Sequence, residues 1–198
     1  MRLPTGWRSG LLGGRSGSPA TPPGPLVVKC GGSLLSRPGW PHLLRGLSPA
    51  LADGGPPLWV VGGGAIVEGL RAIDAAGHLD TTLVHQLAID LMAATARVVA
   101  AELDVGIVSA ADGGGVLDAG AYLATAPASP LPVGWGVTSD TIAATVARAR
   151  ARPLLLLKSS PAPAADPAVA AAAGWVDACF PRAAAGVEWI GWACPPES

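Results

Sequence analysis

The chain is poor in charge, in lysine and in small aromatics. Charged residues make up 14% of its 198 positions, the formal net charge is −1, and there is one tyrosine and one phenylalanine. No basic stripe with interleaved aromatics is present, so nothing supplies the electrostatic footprint of a nucleic-acid binder or of a protein drawn to an anionic membrane. The three cysteines, Cys30, Cys179 and Cys194, lie far apart without a C-x-x-C pair, and the three histidines complete no zinc spacing. A scattered, odd set reads as reduced thiols in a reducing compartment, which gives a cytoplasmic expectation and no metal site. No continuous apolar run approaches the roughly 20 residues that span a bilayer. The longest aliphatic stretch, Leu154 to Leu157, has the length of a strand.

Half the residues are hydrophobic, which is enough for a globular core, and the length suits one domain. Residues 1–24 are rich in Gly, Pro, Ser and Arg, lack an apolar signal segment, and read as a flexible extension outside the fold; a start codon placed too early, or a transit peptide given Arg2, Arg8 and Arg15 without an acidic residue, are the competing readings. From Pro25 onward the pattern is regular, and residues 25–198 are expected to form a single domain. Leu26 to Val28, Leu58 to Val61, Val105 to Ser109 and Leu154 to Leu157 read as strands, with strand candidates at Val116 to Ala124, Val176 to Phe180 and Val187 to Trp192. Helices are expected over Pro41 to Asp53, Ala65 to Ala76, Thr81 to Leu103, Thr138 to Ala151 and near Ala168 to Ala173. In the longest of these, Leu83, Leu87, Leu91, Ala94 and Val98 make one apolar stripe, the mark of a helix packed on a core. Strands alternating with helices predict an α/β sandwich with a largely parallel central sheet, whose ligands bind beyond the carboxyl ends of the strands.

Both lysines stand at such ends. Of 13 basic side chains only Lys29 and Lys158 are lysine, and each closes an apolar strand. Lysine offers a compact charge suited to a phosphoryl group in a tight cradle, although a strand-end lysine also snorkels to solvent without any ligand. Gly31-Gly32 follows the first strand and Gly62-Gly63-Gly64 the second. Consecutive backbone N–H groups without side chains form an anion nest, which a following helix N-terminus reinforces. An ordinary tight turn is the competing explanation for either cluster alone. A Walker loop is excluded, since neither lysine has its spacing; a dinucleotide fingerprint starting at Gly62 finds Val67 where its third glycine belongs. Thr138-Ser139-Asp140 opens a helix. Capping accounts for it fully; alternatively, Asp140 organises the lysine ammonium groups, or a metal-bound water, facing phosphates.

Val27-Val28-Lys29-Cys30-Gly31-Gly32-Ser33, Val60-Val61-Gly62-Gly63-Gly64 and Thr138-Ser139-Asp140 together resemble the signature blocks of the amino acid kinase family, which includes acetylglutamate, aspartate and uridylate kinases. The resemblance covers roughly Pro25 to Phe180. Leu131-Pro132, Trp135, Ile142-Ala143 and His85 with Ala88-Ile89 are similar to the (5-(aminomethyl)furan-3-yl)methyl phosphate kinase branch, which serves methanofuran-type one-carbon cofactor biosynthesis. The resemblance implies an αβα sandwich, ATP with Mg²⁺, and in-line transfer to a phosphate or carboxylate acceptor. It assigns Lys29 and Asp140 to catalysis, with Lys158 either substituting for the family's later second lysine or lining the site, and Gly31, Gly32, Ser33, Gly62, Gly63, Gly64, Thr138 and Ser139 to phosphate or nucleotide binding. By their helix positions Glu68, Arg71 and His85 are candidates for the acceptor, with solvent the competing place for Arg71 and a subunit interface that for His85; a homo-oligomer is expected, with Asp90 and Arg97 on a solvated or subunit-facing side. The rival expectation is a non-catalytic anion-binding or storage subunit on the same fold, as in molybdenum storage proteins.

Overall fold

Four-residue strands of almost wholly apolar side chains are buried on both faces, and helices must cover them. In the computed structural model, which describes residues 2–13, 21–125 and 131–196, that is the outcome. Strands β1 (Arg8–Leu11), β2 (Val27–Cys30), β3 (Leu58–Val61), β4 (Ile107–Val108), β5 (Gly115–Leu117), β6 (Leu154–Leu157) and β7 (Ile190–Cys194) form one sheet in the order β1-β7-β6-β2-β3-β5-β4. All neighbours run parallel except β1, which pairs antiparallel with β7 at the edge. The helices are α1 (Trp40–Leu51), α2 (Gly64–Gly77), α3 (Thr81–Leu103), α4 (Ala119–Thr125), α5 (Ser139–Ala149), α6 (Pro167–Ala172) and α7 (Phe180–Ala184). The result is a three-layer α/β sandwich that matches an amino acid kinase-like topology.

Strand parity assigns each side chain to a layer. On β2, Val27 joins Leu58, Val60, Leu154 and Leu156 in the core under α5, α6 and α7. Val28 and Cys30 join Trp59, Val61, Leu155 and Leu157 under α1 and the C-terminal half of α3. Lys29 has the parity of Val27 and therefore points toward α5. The chain runs from β2 outward to β3 on one side, whereas β6 lies on the other, so the sheet's switch point falls between β2 and β6. Lys29 and Lys158 flank it.

Several expectations need correction. Arg8–Leu11, set aside with the extension, form the edge strand β1 because β7 would otherwise expose its outer backbone groups; Leu12 beyond it is fully buried. Residues 14–20 of that extension lie outside the described residues. Val116 to Ala124 is strand only to Leu117, and α4 follows. Val176 to Phe180 is not a strand but the turn into α7, with Pro181 at a first-turn position. The last strand begins at Ile190, three residues later than its expected start.

The apolar stripe on α3 is also reassigned. Val84, Ile89, Met92, Thr95, Ala96, Val99 and Ala100 are the buried positions, while Leu83 and Val98 are each 52% exposed. This helix has two apolar sides, and sheet position chose between them. By length and composition it is also long and apolar enough to cross a membrane, in contrast to the expectation from continuous runs. It packs here on α1, α2, α4, β3 and β5.

Candidate active site

Lys29 extends from β2, Lys158 from just beyond β6, and Asp140 from the first turn of α5, which crosses over the switch point. Lys29 Nζ stands 2.8 Å from Asp140 Oδ1, and Lys158 Nζ 2.8 Å from Asp140 Oδ2. The three residues are 4%, 9% and 4% exposed for Lys29, Lys158 and Asp140. Lys158 donates hydrogen bonds to Asp140 Oδ2 and to the Trp175 carbonyl at 2.6 Å, and its ammonium lies 4.9 Å from the Trp175 ring centroid. Lys29 differs. Its ammonium touches Oδ1 but is not aligned to hydrogen-bond it, so Oδ1 is a buried acceptor without a hydrogen bond.

Two cations around one anion leave a net positive charge in a dry site. Burial raises the Asp140 carboxyl pKa, but Lys29 and then Lys158 outweigh it, and the net direction is down. Burial and then the neighbouring Lys29 push Lys158 down to about 8, against the partial support of Asp140. Burial pushes the adjacent Cys30 thiol up to about 12, which leaves it protonated and unreactive.

The glycine turns meet directly. A Cβ on Gly32 would lie 2.2 Å from the Gly64 nitrogen, and Gly64 itself has φ +57°, so neither position tolerates a side chain. The N–H of Gly31 donates to the Leu157 carbonyl and that of Gly62 to the Cys30 carbonyl, extending the sheet. Those two amides are therefore committed. Helix α2 begins at Gly64 with Gly63 as N-cap, no capping side chain and no acidic residue in its first turn. Its first N–H groups thus present an uncompensated positive end. Thr95, on α3, holds this turn by donating to the Gly62 carbonyl at 3.1 Å.

Outward from the turns opens a cleft of about 630 Å³, lined among others by Gly32, Ser33, Gly64, Glu68, Arg71 and Trp135. Gly62, Gly63, Thr138 and Ser139 also border it. The lysines and Asp140 lie behind this lining, not in it. Glu68 and Arg71 form the outer wall: their charged groups are 3.4 Å apart, and the Arg71 guanidinium stacks 4.1 Å over the Trp135 ring. The Trp135 indole in turn donates to Asp74 at 2.7 Å. His85 is not in the lining; its Nδ1 accepts the Gly134 N–H at 3.3 Å and so supports the loop carrying Trp135.

No protein-family model matches this chain, and no curated protein matches it. The site must therefore be read from its own geometry.

That geometry includes a residue sequence reasoning missed. Asp177 accepts from the N–H and hydroxyl of Thr138, the N–H and hydroxyl of Thr141, and the N–H of Cys179. It neutralises the start of α5, so that helix end is already occupied by a carboxylate, whereas the start of α2 at the cleft has no capping side chain. The only local signal was an aspartate before a short helix, and nothing in its neighbourhood indicates a partner 36 to 39 positions away. Among the described residues there is no group of three or more His, Cys, Asp or Glu placed to hold a metal. Asp140, the one carboxylate of the buried cluster, sits between two ammonium groups, which oppose a resident dication.

Proposed function

We propose that the chain is a small-molecule kinase that transfers the γ-phosphoryl group of ATP to a phosphate or carboxylate oxygen of an acceptor. The observation carrying this reading is the buried Lys29–Asp140–Lys158 cluster directly behind the uncapped, glycine-lined start of α2. Phosphoryl transfer asks the protein mainly to position reactants and to balance negative charge spread over the moving group. Two ammonium groups held in register by one carboxylate, next to free backbone N–H groups, meet both needs. In the reaction an acceptor oxygen forms a bond to the γ-phosphorus as the bond to the β,γ-bridging oxygen breaks, and ADP leaves with that electron pair. Lys29 and Lys158 balance the charge on the transferred group, and the Gly63–Gly64 amides hold its oxygens. Magnesium enters on the nucleotide's phosphates as part of the substrate.

The cleft's outer wall suits the acceptor. Glu68 would meet a protonated amine and Arg71 an anionic group, with Trp135 as a flat wall between them. The resemblance to the aminomethylfuran phosphate kinase branch makes a phosphorylated, amine-bearing acceptor of one-carbon cofactor biosynthesis the first to test.

The experiment is ADP release by the purified chain with ATP, Mg²⁺ and a panel of amine-bearing phosphates and amino acid carboxylates, alongside Lys29→Ala. Acceptor-dependent turnover that disappears in a folded Lys29→Ala variant is expected. If no acceptor supports turnover and millimolar ATP·Mg²⁺ gives no thermal shift, the kinase reading fails in favour of a storage or binding subunit, since a ligand at 100 times its Kd stabilises by about 2.7 kcal/mol.

A further inference from the structure

Among the described residues Thr95 is the one buried polar side chain on α3; the other buried positions nearest it, Met92, Ala96 and Val99, are apolar. A hydroxyl in such surroundings costs stability unless it is bonded. Its Oγ1 lies 2.9 Å from the Met92 carbonyl, a bond that a helical threonine makes within its own helix. It also lies 3.1 Å from the Gly62 carbonyl, in the turn after β3. The first bond needs no partner across the fold. The second does, and it falls on the peptide that begins the glycine turn.

That peptide is pinned on both sides of Gly62. The Gly62 N–H donates to the Cys30 carbonyl at 2.9 Å, and the Gly62 carbonyl accepts from Thr95. In a trans peptide the next N–H points opposite to the carbonyl. With the Gly62 carbonyl directed at α3, the Gly63 N–H is directed away from it. Gly63 is buried and borders the cleft, and among the described residues nothing accepts its N–H. A buried backbone donor without a partner in the protein is rare, and it marks a place that a ligand or water completes. Gly63 has φ −72° and ψ −20°, and Gly64 has φ +57°. A right-handed residue followed by a left-handed one turns successive N–H groups to one side, the geometry of an anion nest.

We propose that Thr95 is a positioning residue for this nest: by holding the Gly62 carbonyl against α3, it aims the Gly63 and Gly64 amides at a phosphoryl oxyanion in the cleft. Thr95 acts through the turn and touches no substrate. The role deepens the kinase reading, on which the identity of the anion as a transferring phosphoryl group rests. Without the hydroxyl, the Gly62–Gly63 peptide is free to turn over, since glycine on both sides resists little. The first amide of the nest is then lost to the ligand.

The test is a titration of inorganic phosphate into the isotope-labelled full chain, without nucleotide, followed by NMR at the Gly63 and Gly64 amide protons. In wild type both should move downfield and saturate. Thr95→Val keeps the shape and lacks the hydroxyl; it should weaken phosphate binding by roughly tenfold, the scale of one hydrogen bond at a charged site, and shrink the Gly63 shift. Thr95→Ser should keep most of both. Thr95→Cys, whose thiol is a weaker donor, should fall between, and it decides the matter if circular dichroism shows the valine variant unfolded. Equal phosphate affinity and equal glycine shifts in wild type and Thr95→Val, with stability alone reduced, make Thr95 a packing residue and overturn the proposal. A serine variant as weak as valine, a cysteine variant as tight as wild type, or wild-type glycine amides that ignore phosphate also overturn it. Thr95-dependent phosphate binding in a chain that turns over no acceptor upholds the proposal while the kinase reading fails.

Discussion

The Lys29 ammonium sits 2.8 Å from Oδ1 of Asp140 without the alignment of a hydrogen bond, whereas Lys158 hydrogen-bonds the other oxygen at the same distance. Lys158 thus engages one carboxylate oxygen by a hydrogen bond, and Lys29 meets the other as an ion pair. Lys158 spends its donors on Asp140 and the Trp175 carbonyl.

Removing the shared anion should therefore be costly. Asp140→Ala leaves two cations buried together, and breaking a buried pair costs about 3–5 kcal/mol. Urea denaturation should show a loss of that size. Inorganic phosphate should stabilise the variant more than it stabilises wild type, because an anion then fills the vacated charge. Equal phosphate effects on the two proteins would argue that no ligand anion reaches the lysines.

The position of Lys158 makes stability and activity respond to pH in opposite directions. Its folded pKa of about 8 lies below the ordinary 10.5. Between those values the unfolded chain binds the extra proton, so stability gained from this group rises with pH across roughly 8 to 10.5. The stability of wild type relative to Lys158→Met should accordingly increase from pH 7.5 to pH 10. Turnover that needs the ammonium should instead fall as pH rises through about 8, and Lys158→Arg, always charged, should not show that limb. Parallel pH profiles of wild type and Lys158→Met stability would show that Lys158 titrates elsewhere.

At the turns, Gly32→Ala puts a methyl 2.2 Å from the Gly64 nitrogen. One turn must move, and the α2 N-terminus moves with it. The variant should fold with a stability loss of a few kcal/mol, by the cost of overpacking, and should lose the ATP-dependent thermal shift. Retention of the full shift would separate nucleotide binding from the paired turns.

Asp177 offers a test of long-range support. Asp177→Ala removes acceptors from Thr138, Thr141 and Cys179 and leaves α5 with only its Thr138 cap. A cost of about 1–3 kcal/mol follows from the unsatisfied donors. Since α5 carries Asp140, kcat should fall more than KM rises, and Asp177→Asn, which keeps one acceptor oxygen, should restore part of it. A variant that loses stability alone, with kcat intact, would make Asp177 only a structural cap.

The parts of the fold with a strong local signal were legible in the chain. Leu58–Val61, Leu154–Leu157 and Thr81–Leu103 have the bounds that apolar runs, Gly punctuation and helical spacing indicate. The juxtaposition of the glycine turns with both lysines was legible as well, because parallel strands bring their carboxyl ends to one edge. Weak local signals misled. Arg8–Leu11 contains a glycine and no alternation, yet pairs because β7 offers a free edge, and Gly10 leaves room there for the Trp192 indole.

Local chemistry in the sequence determined the strongly patterned elements such as Leu58–Val61, Leu154–Leu157 and Thr81–Leu103, that Lys29 shares a face with Val27, and that two glycine turns end adjacent strands. These follow from backbone preference and from the period of two along a strand, which need no knowledge of distant neighbours. Tertiary structure alone decided which apolar side of α3 is buried, that Asp140 stands between both lysines, and that Asp177 caps α5. Each depends on where a remote element comes to rest, and burial and ion pairing take their energy from those through-space neighbours, not from the order of residues along the chain.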